Sequence, residues 1–122
     1  MNPILKKLWF KAQSPVLVLQ APAEFKKILE DMGEVHSAAK GKYSFVLAFV
    51  KSLAEGEKLA KRVKKSLEDG CVFWVAYPKG TSKRYQSNYQ RDTGHALMAK
   101  HGFNGVSLVS INEDWSAMRF KF

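Results

Sequence analysis

Cys71-Val-Phe-Trp-Val-Ala-Tyr77, continued by Pro78-Lys-Gly-Thr-Ser-Lys-Arg-Tyr85, is the stretch from which the fold of this 122-residue chain is read. Its apolar run, rich in β-branched and aromatic side chains, has the pattern of a strand buried on both faces, as in a parallel sheet. The run then opens into a polar loop carrying Lys79, Lys83 and Arg84 and no acid. In an open α/β sheet, ligands bind beyond the carboxyl ends of the strands, so a site is sought in and around this loop.

Working outward, Phe45-Val-Leu-Ala-Phe-Val50 has the same doubly apolar character, and Val16-Leu-Val-Leu19 is a shorter version of it. Glu34 to Ser37 reads as a short edge strand. Val106 to Ile111 and Ala117 to Phe122 read as strands joined through Asn112-Glu-Asp-Trp115, a link short enough for an antiparallel hairpin. Helices fill the intervals. Asn2 caps an opening helix with Pro3 at its first position and Ile4, Leu5, Leu8 and Trp9 on one face, ending at Gln13-Ser14-Pro15. Phe25, Ile28, Leu29 and Met32 recur at helical spacing, with Gly33 as the C-cap. Ser52-Leu-Ala-Glu55 is a capping-box pattern that starts a helix burying Leu59, Val63 and Leu67. That helix shows Lys58, Lys61, Arg62 and Lys65 to water and stops near Gly70. Asp92 is expected to cap a last helix carrying Ala96, Leu97 and Met98, ending at Gly102.

Strands alternating with helices predict a three-layer α/β sandwich around a mostly parallel, Rossmann-like sheet of about six strands. Residues 1–122 read as a single α/β domain, with residues 1–13 an extra N-terminal helix packing on the sheet. Composition is that of a globular protein, 46% hydrophobic and 25% charged. The formal net charge of +9 admits nucleic acid, anionic membrane or phosphorylated ligands and selects none of them. The lone Cys71 excludes an intramolecular disulfide and a multi-cysteine metal site. No apolar stretch approaches the roughly 20 residues that span a bilayer, and no signal peptide is legible, so a cytoplasmic address is the default.

The order of elements resembles the sheet of Rossmann-fold methyltransferases after deletion of one βα unit, across residues 15–122. That resemblance implies the spatial order 2-1-3-4-6-5, with strand 6 reversed. Methyltransferases place a glycine-rich turn after strand 1 and a carboxylate at the end of strand 2. This chain has Leu19-Gln-Ala-Pro-Ala-Glu24 and His36-Ser37 there, so S-adenosylmethionine held in the family manner is not expected, and no cofactor is assigned. Trp74-Val-Ala-Tyr77-Pro-Lys79, then Arg91-Asp92, Asp114-Trp-Ser116 and Arg119-Phe120, also resemble a family of small uncharacterised bacterial domains. That resemblance covers nearly the whole chain and implies the fold without any reaction.

Four segments should meet at the carboxyl edge: Gln20 to Glu24, Lys51-Ser52, Tyr77 to Arg91 and Asn112 to Trp115. Lys79, Ser82, Lys83, Arg84 and Arg91 are the residues expected to hold charge there, with Tyr85 and Trp115 giving apolar contact and Lys51 and Tyr89 within reach. Helix N-termini directed at the same edge favour an anion. The leading expectation is therefore a non-enzymatic binding or regulatory module for a small anionic ligand, phosphate- or nucleotide-like. The alternatives are a vestigial or divergent methyltransferase-like enzyme and a basic nucleic-acid-binding protein built on Lys58, Lys61, Arg62, Lys64 and Lys65. No helix-turn-helix, zinc finger or aromatic sheet signature accompanies that basic helix, whose cations stand opposite Leu59 and Val63 as on any amphipathic helix. Nor does the opening helix, with Lys6, Lys7 and Lys11, direct the chain to a membrane; it is expected to cover the sheet edge or a partner subunit. The histidines His36, His95 and His101 share no ligand spacing, so no metal is assigned. Cys71 reads as an inert core thiol and Glu113-Asp114 as turn formers. Without a Ser-His-Asp set, a P-loop or a nucleophile elbow, no catalytic residue is assigned. Nothing in the sequence fixes an oligomeric state.

Overall fold

A computed structural model of the chain describes residues 2–122. Strands β1 (Val16–Leu19), β2 (Val35–His36), β3 (Tyr43–Phe49), β4 (Leu67–Pro78), β5 (Asn104–Ser110) and β6 (Trp115–Lys121) form one sheet in the order β2-β1-β3-β4-β6-β5. β1 pairs parallel with β2 and with β3, β3 pairs parallel with β4, and β6 runs antiparallel to both β4 and β5. The order and the reversed sixth strand are those that the resemblance implies.

The doubly apolar runs occupy the sheet centre because both of their faces are covered. Phe45, Leu47 and Phe49 of β3, with Trp74 and Ala76 of β4, face helices α1 (Pro3–Lys7) and α2 (Lys26–Glu30). Val46 and Val50, with Phe73, Val75 and Tyr77, face α3 (Leu53–Val63) and α4 (Arg91–Lys100). Full burial of each such Leu, Val or Phe contributes about 1.5–3 kcal/mol, so these two layers supply most of the driving force for the fold. Trp74 adds a polar tie, its indole N–H donating to the Leu8 carbonyl at 2.7 Å. Among the described residues, no helix is long and apolar enough to cross a membrane.

Several boundaries differ from the sequence reading. The N-terminal helix is short: Asn2 caps it through Ile4 N–H at 2.8 Å, but it ends at Lys7, because Trp9 and Ala12 take φ values of 62° and 58°. Leu5 and Leu8 are buried as expected, whereas Trp9 is exposed with Arg119 over its ring. The third helix stops at Val63 and tightens into a 3-10 turn over Lys64–Ser66, so that Leu67 starts β4 instead of closing the helix. Gly70, at φ 76°, lies inside that strand, in the irregular stretch between the Tyr43–Leu67 and Phe45–Val72 pairs. Helix α4 is capped by Gln90, whose N–H donates to Thr93 Oγ1 at 2.9 Å; Asp92 falls in the first turn. Trp115 opens β6 and is not part of the turn.

Candidate functional site

β1 continues to β2 on one side while β3 lies on its other side, so the carboxyl ends of β1 and β3 flank the point where the strand order reverses. Crevices in open α/β sheets form at such switch points. A cleft of about 600 Å³ lies here, within the range of small-molecule sites. Its floor includes Leu19 of β1 and Ala48 of β3, and its walls are Ser37–Ala39 on one side and α3 on the other. The cause is local. The link from β2 to β3, residues 37–42, contains no helix, although parallel connections usually need a dozen or more residues and commonly a helix. Without that cover, the sheet face beside α3 stays open.

The chemistry of the cleft follows from α3 and the 3-10 turn after it. Lys58, Arg62 and Lys65 line it, while Glu55 is already committed, accepting from Lys51 N–H at 2.9 Å. Gln20 and Ser37 add neutral hydrogen-bonding groups. Gln20 takes φ 58°, the left-handed turn that glycine would adopt without strain, so a side chain stands where a bare backbone would allow closest approach.

The loop after β4 crosses the same carboxyl edge and is tied down on both faces of the sheet. Lys79 Nζ donates to Ser110 Oγ at 2.6 Å, and Ser82 Oγ donates to Asp114 Oδ1 at 2.7 Å while accepting from the N–H groups of Arg84 and Tyr85. The Tyr85 hydroxyl donates to Glu24 Oε2 at 2.7 Å, and its ring packs on Trp115 with centroids 5.1 Å apart. Asn88 Oδ1 accepts from Leu53 N–H at 2.8 Å, joining the loop to the start of α3. Tyr89 is buried in the α3–α4 layer.

Glu24 is the centre of this edge. It receives Tyr85, the Trp115 indole N–H at 3.2 Å and the Arg84 guanidinium at 3.6 Å. Partial burial acts to raise its pKa, but the hydrogen bonds from Tyr85 and Trp115, with the charge of Arg84, outweigh that and hold the carboxyl below its ordinary value. Burial and the Glu24 carboxylate together push the Tyr85 hydroxyl above its ordinary value. Lys51 Nζ lies 5.2 Å from the centre of the Tyr85 ring.

The structure therefore divides the residues expected to form one site. Arg84, Tyr85 and Trp115 meet at Glu24, with Lys51 beside them. Ser82 and Lys79 are engaged with the β5–β6 hairpin. Trp115, expected to give apolar contact to a ligand, is fully buried at the sheet end. Arg91 opens α4 on the opposite face of the sheet, with Asp92 at 3.2 Å, and lies outside the Tyr85–Trp115 cluster. Lys83 is exposed and, among the described residues, makes no hydrogen bond or ion pair. Glu24 and the cleft beside α3 are the features that the sequence reading does not single out. It places Gln20–Glu24 at this edge, but nothing in the spacing shows which carboxylate will be enclosed.

No family model matches the chain, and no curated protein matches it. Solved structures do. The CcbJ methyltransferase from Streptomyces caelestis is 11% identical, with a TM-score of 0.65 over 97% of this chain and 86% of that one. A SAM-dependent methyltransferase from Aquifex aeolicus is 9% identical, with a TM-score of 0.64 over 96% and 86%. The Methanococcus jannaschii fibrillarin pre-rRNA processing protein is 14% identical, with a TM-score of 0.54 over 88% of this chain and only 55% of its own length. At these identities the likeness is one of fold. The fold is methyltransferase-like. These comparisons correct the leading expectation of a non-enzymatic module for a small anion; they favour the methyltransferase-like alternative.

The residues present do not fit S-adenosylmethionine in the manner the resemblance implies. That molecule carries a sulfonium cation, whereas three cations, Lys58, Arg62 and Lys65, line the cleft against a single carboxylate, Glu55, whose Oε1 accepts from Lys51 N–H. The turn after β1 carries Gln20, and the segment after β2 is Ser37-Ala38-Ala39, with no carboxylate to accept from ribose hydroxyls.

Proposed function

We propose that this chain is a divergent methyltransferase-like enzyme that takes a nucleoside-class ligand in the cleft between β1 and β3. The observation that carries the reading is the cleft itself, at the reversal point of a sheet whose strand order is methyltransferase-like. Leu19 and Ala48 offer apolar floor for a base or ribose, and Gln20 and Ser37 offer polar contacts. The cationic wall opposes a sulfonium, so a neutral nucleoside is favoured over S-adenosylmethionine, and no transfer step is assigned to the chain's residues.

Thermal unfolding with S-adenosylhomocysteine, adenosine and S-adenosylmethionine tests this. A ligand at 100 times its Kd stabilises the folded form by about 2.7 kcal/mol, a rise of several degrees in Tm. S-adenosylhomocysteine or adenosine should raise Tm more than S-adenosylmethionine does. Ala38→Trp, which fills the cleft from its exposed lip, should abolish the rise. No shift with any of the three at millimolar concentration sinks the proposal.

A further inference from the structure

Among the described residues, the large apolar side chains that stand in solvent are Trp9, Val106, Leu108 and Phe122. Arg119 covers one face of Trp9, its guanidinium 4.1 Å from the ring centre. The other three gather at one margin of the molecule. Val106 and Leu108 belong to β5, and Phe122 packs against Phe103, which immediately precedes that strand, with centroids 6.2 Å apart.

β5 is an outermost strand, bonded to β6 along one side only. The two margins of the sheet are built differently. β2 has two residues and is flanked by Glu34, Lys40 and Lys42. β5 has seven, Asn104-Gly-Val-Ser-Leu-Val-Ser110, with neither a charge nor a proline among them. Exposed edges in natural sheets are guarded by shortness, charge, proline, β-bulges or cover, because their open N–H and C=O groups invite another strand. Of these β5 has only a register shift between Gly105 and Ser107, which leaves Ser107–Ser110 regular. On a molecule of net charge +9, a seven-residue edge without charge and with two exposed aliphatic side chains is a surface prepared for pairing.

We propose that β5 pairs antiparallel with β5 of a second copy, about a two-fold axis at Ser107, joining two six-stranded sheets into one. The strand is self-complementary in this arrangement. Leu108 is paired with Met118, so it faces the α4 side, and Val106, which sits in the register shift between Gly105 and Ser107, is exposed beside it. The axis at Ser107 sets Leu108 against the partner's Val106 and Val106 against the partner's Leu108, two apolar cross-strand pairs.

Charge selects the antiparallel sense. Lys7 Nζ donates to the Ser110 carbonyl at 3.2 Å and Lys79 Nζ to Ser110 Oγ at 2.6 Å, so both cations cluster at the carboxyl end of β5. Antiparallel pairing holds the two lysine clusters about 20 Å apart, at opposite ends of the strand. That exceeds the Debye length of about 8 Å at physiological salt, so they are screened from one another. Parallel pairing would bring them side by side. The two-fold arrangement also closes on itself, with the same patch used by both copies.

Light scattering coupled to gel filtration, run on the full chain from about 1 to about 200 µM at physiological salt, reads the mass that such pairing changes with concentration. The proposal expects twice the monomer mass at the upper concentrations. V106K/L108K should be monomeric throughout with an unchanged far-ultraviolet circular dichroism spectrum, since both side chains are exposed. S107C should form a disulfide-linked dimer on mild oxidation, while the buried Cys71 stays unreacted. A wild-type chain that is monomeric at every concentration overturns the proposal and leaves the edge to a different partner. A V106K/L108K chain that still dimerises, or a dimer whose S107C form does not cross-link, overturns it by placing the contact elsewhere.

Discussion

The Tyr85 hydroxyl donates to Glu24 Oε2 at 2.7 Å, joining residues 61 positions apart in the chain. Glu24 follows β1 and Tyr85 follows β4, strands separated in the sheet by β3. One hydrogen bond thus spans the carboxyl edge and fastens the loop after β4 over it. Because the acceptor is ionised, the bond belongs to the stronger class, about 1.5–3 kcal/mol before solvent screening at this partly exposed position. Tyr85→Phe should lower stability by about 1 kcal/mol in urea denaturation and accelerate amide exchange across residues 82–88. Unchanged exchange in that loop would mean that the Ser82–Asp114 and Asn88–Leu53 ties hold it without Tyr85.

The same carboxylate makes a pH prediction. Glu24 has a lower pKa when folded than its ordinary value of 4.5. The folded chain therefore binds that proton less tightly than the unfolded chain, and the stabilisation is fully present above about pH 4.5 and lost as pH falls through the folded pKa. Tm measured between pH 7 and pH 3 should fall more steeply in the wild type than in Glu24→Gln, which retains a hydrogen-bond acceptor but does not titrate. Parallel curves would contradict the assignment.

Tyr89 lies between two glycines. A Cβ at Gly94 would stand 2.1 Å from Tyr89 Cε1, and one at Gly56 would stand 2.8 Å from Tyr89 Cε2. Both helices, α3 and α4, approach the ring through their missing side chains. Gly94→Ala gains up to about 1 kcal/mol of helix propensity but overpacks the ring, at a cost of about 1–3 kcal/mol or more. We expect a net loss of stability by chemical denaturation, relieved when Tyr89→Leu is added. Gly80→Ala, with open space around it, should change stability by less than about 0.5 kcal/mol.

Cys71 is buried, and burial together with the nearby Glu68 charge pushes its thiol up to about 12, against the pull of a hydrogen bond from the Val46 backbone. The thiolate is the reactive form, so an aromatic disulfide reagent at pH 8 should label Cys71 only at the rate of unfolding. Rapid stoichiometric labelling of the native chain would place the thiol at the surface.

The centre of the sheet was legible because periodicity reports burial. Phe45–Val50 and Cys71–Tyr77 are apolar at consecutive positions, and only a strand covered on both faces needs that. Caps at Asn2 and Ser52 were legible for the same local reason, a side-chain oxygen one turn from the N–H it satisfies. Boundaries were less so. Leu67 matches the helical spacing of Leu59 and Val63, yet its backbone pairs with Tyr43, and a ladder partner distant in sequence decides the matter. Gln90 displaced Asp92 as the cap because the geometry of the incoming loop, not propensity, chose which residue turned extended.

The alternation of strands and helices, the two buried layers and the positively charged α3 follow from the residues alone, since apolar period and charge are properties of neighbours along the chain. The spatial order of the strands is implied only by the resemblance. Which of those groups meet is a different matter. The enclosure of Trp115, the engagement of Glu24 by Tyr85, the separation of Arg91 from both and the cleft left open by a helix-free link depend on distances between residues remote in sequence. Long-range packing, which no local pattern encodes, settles such distances.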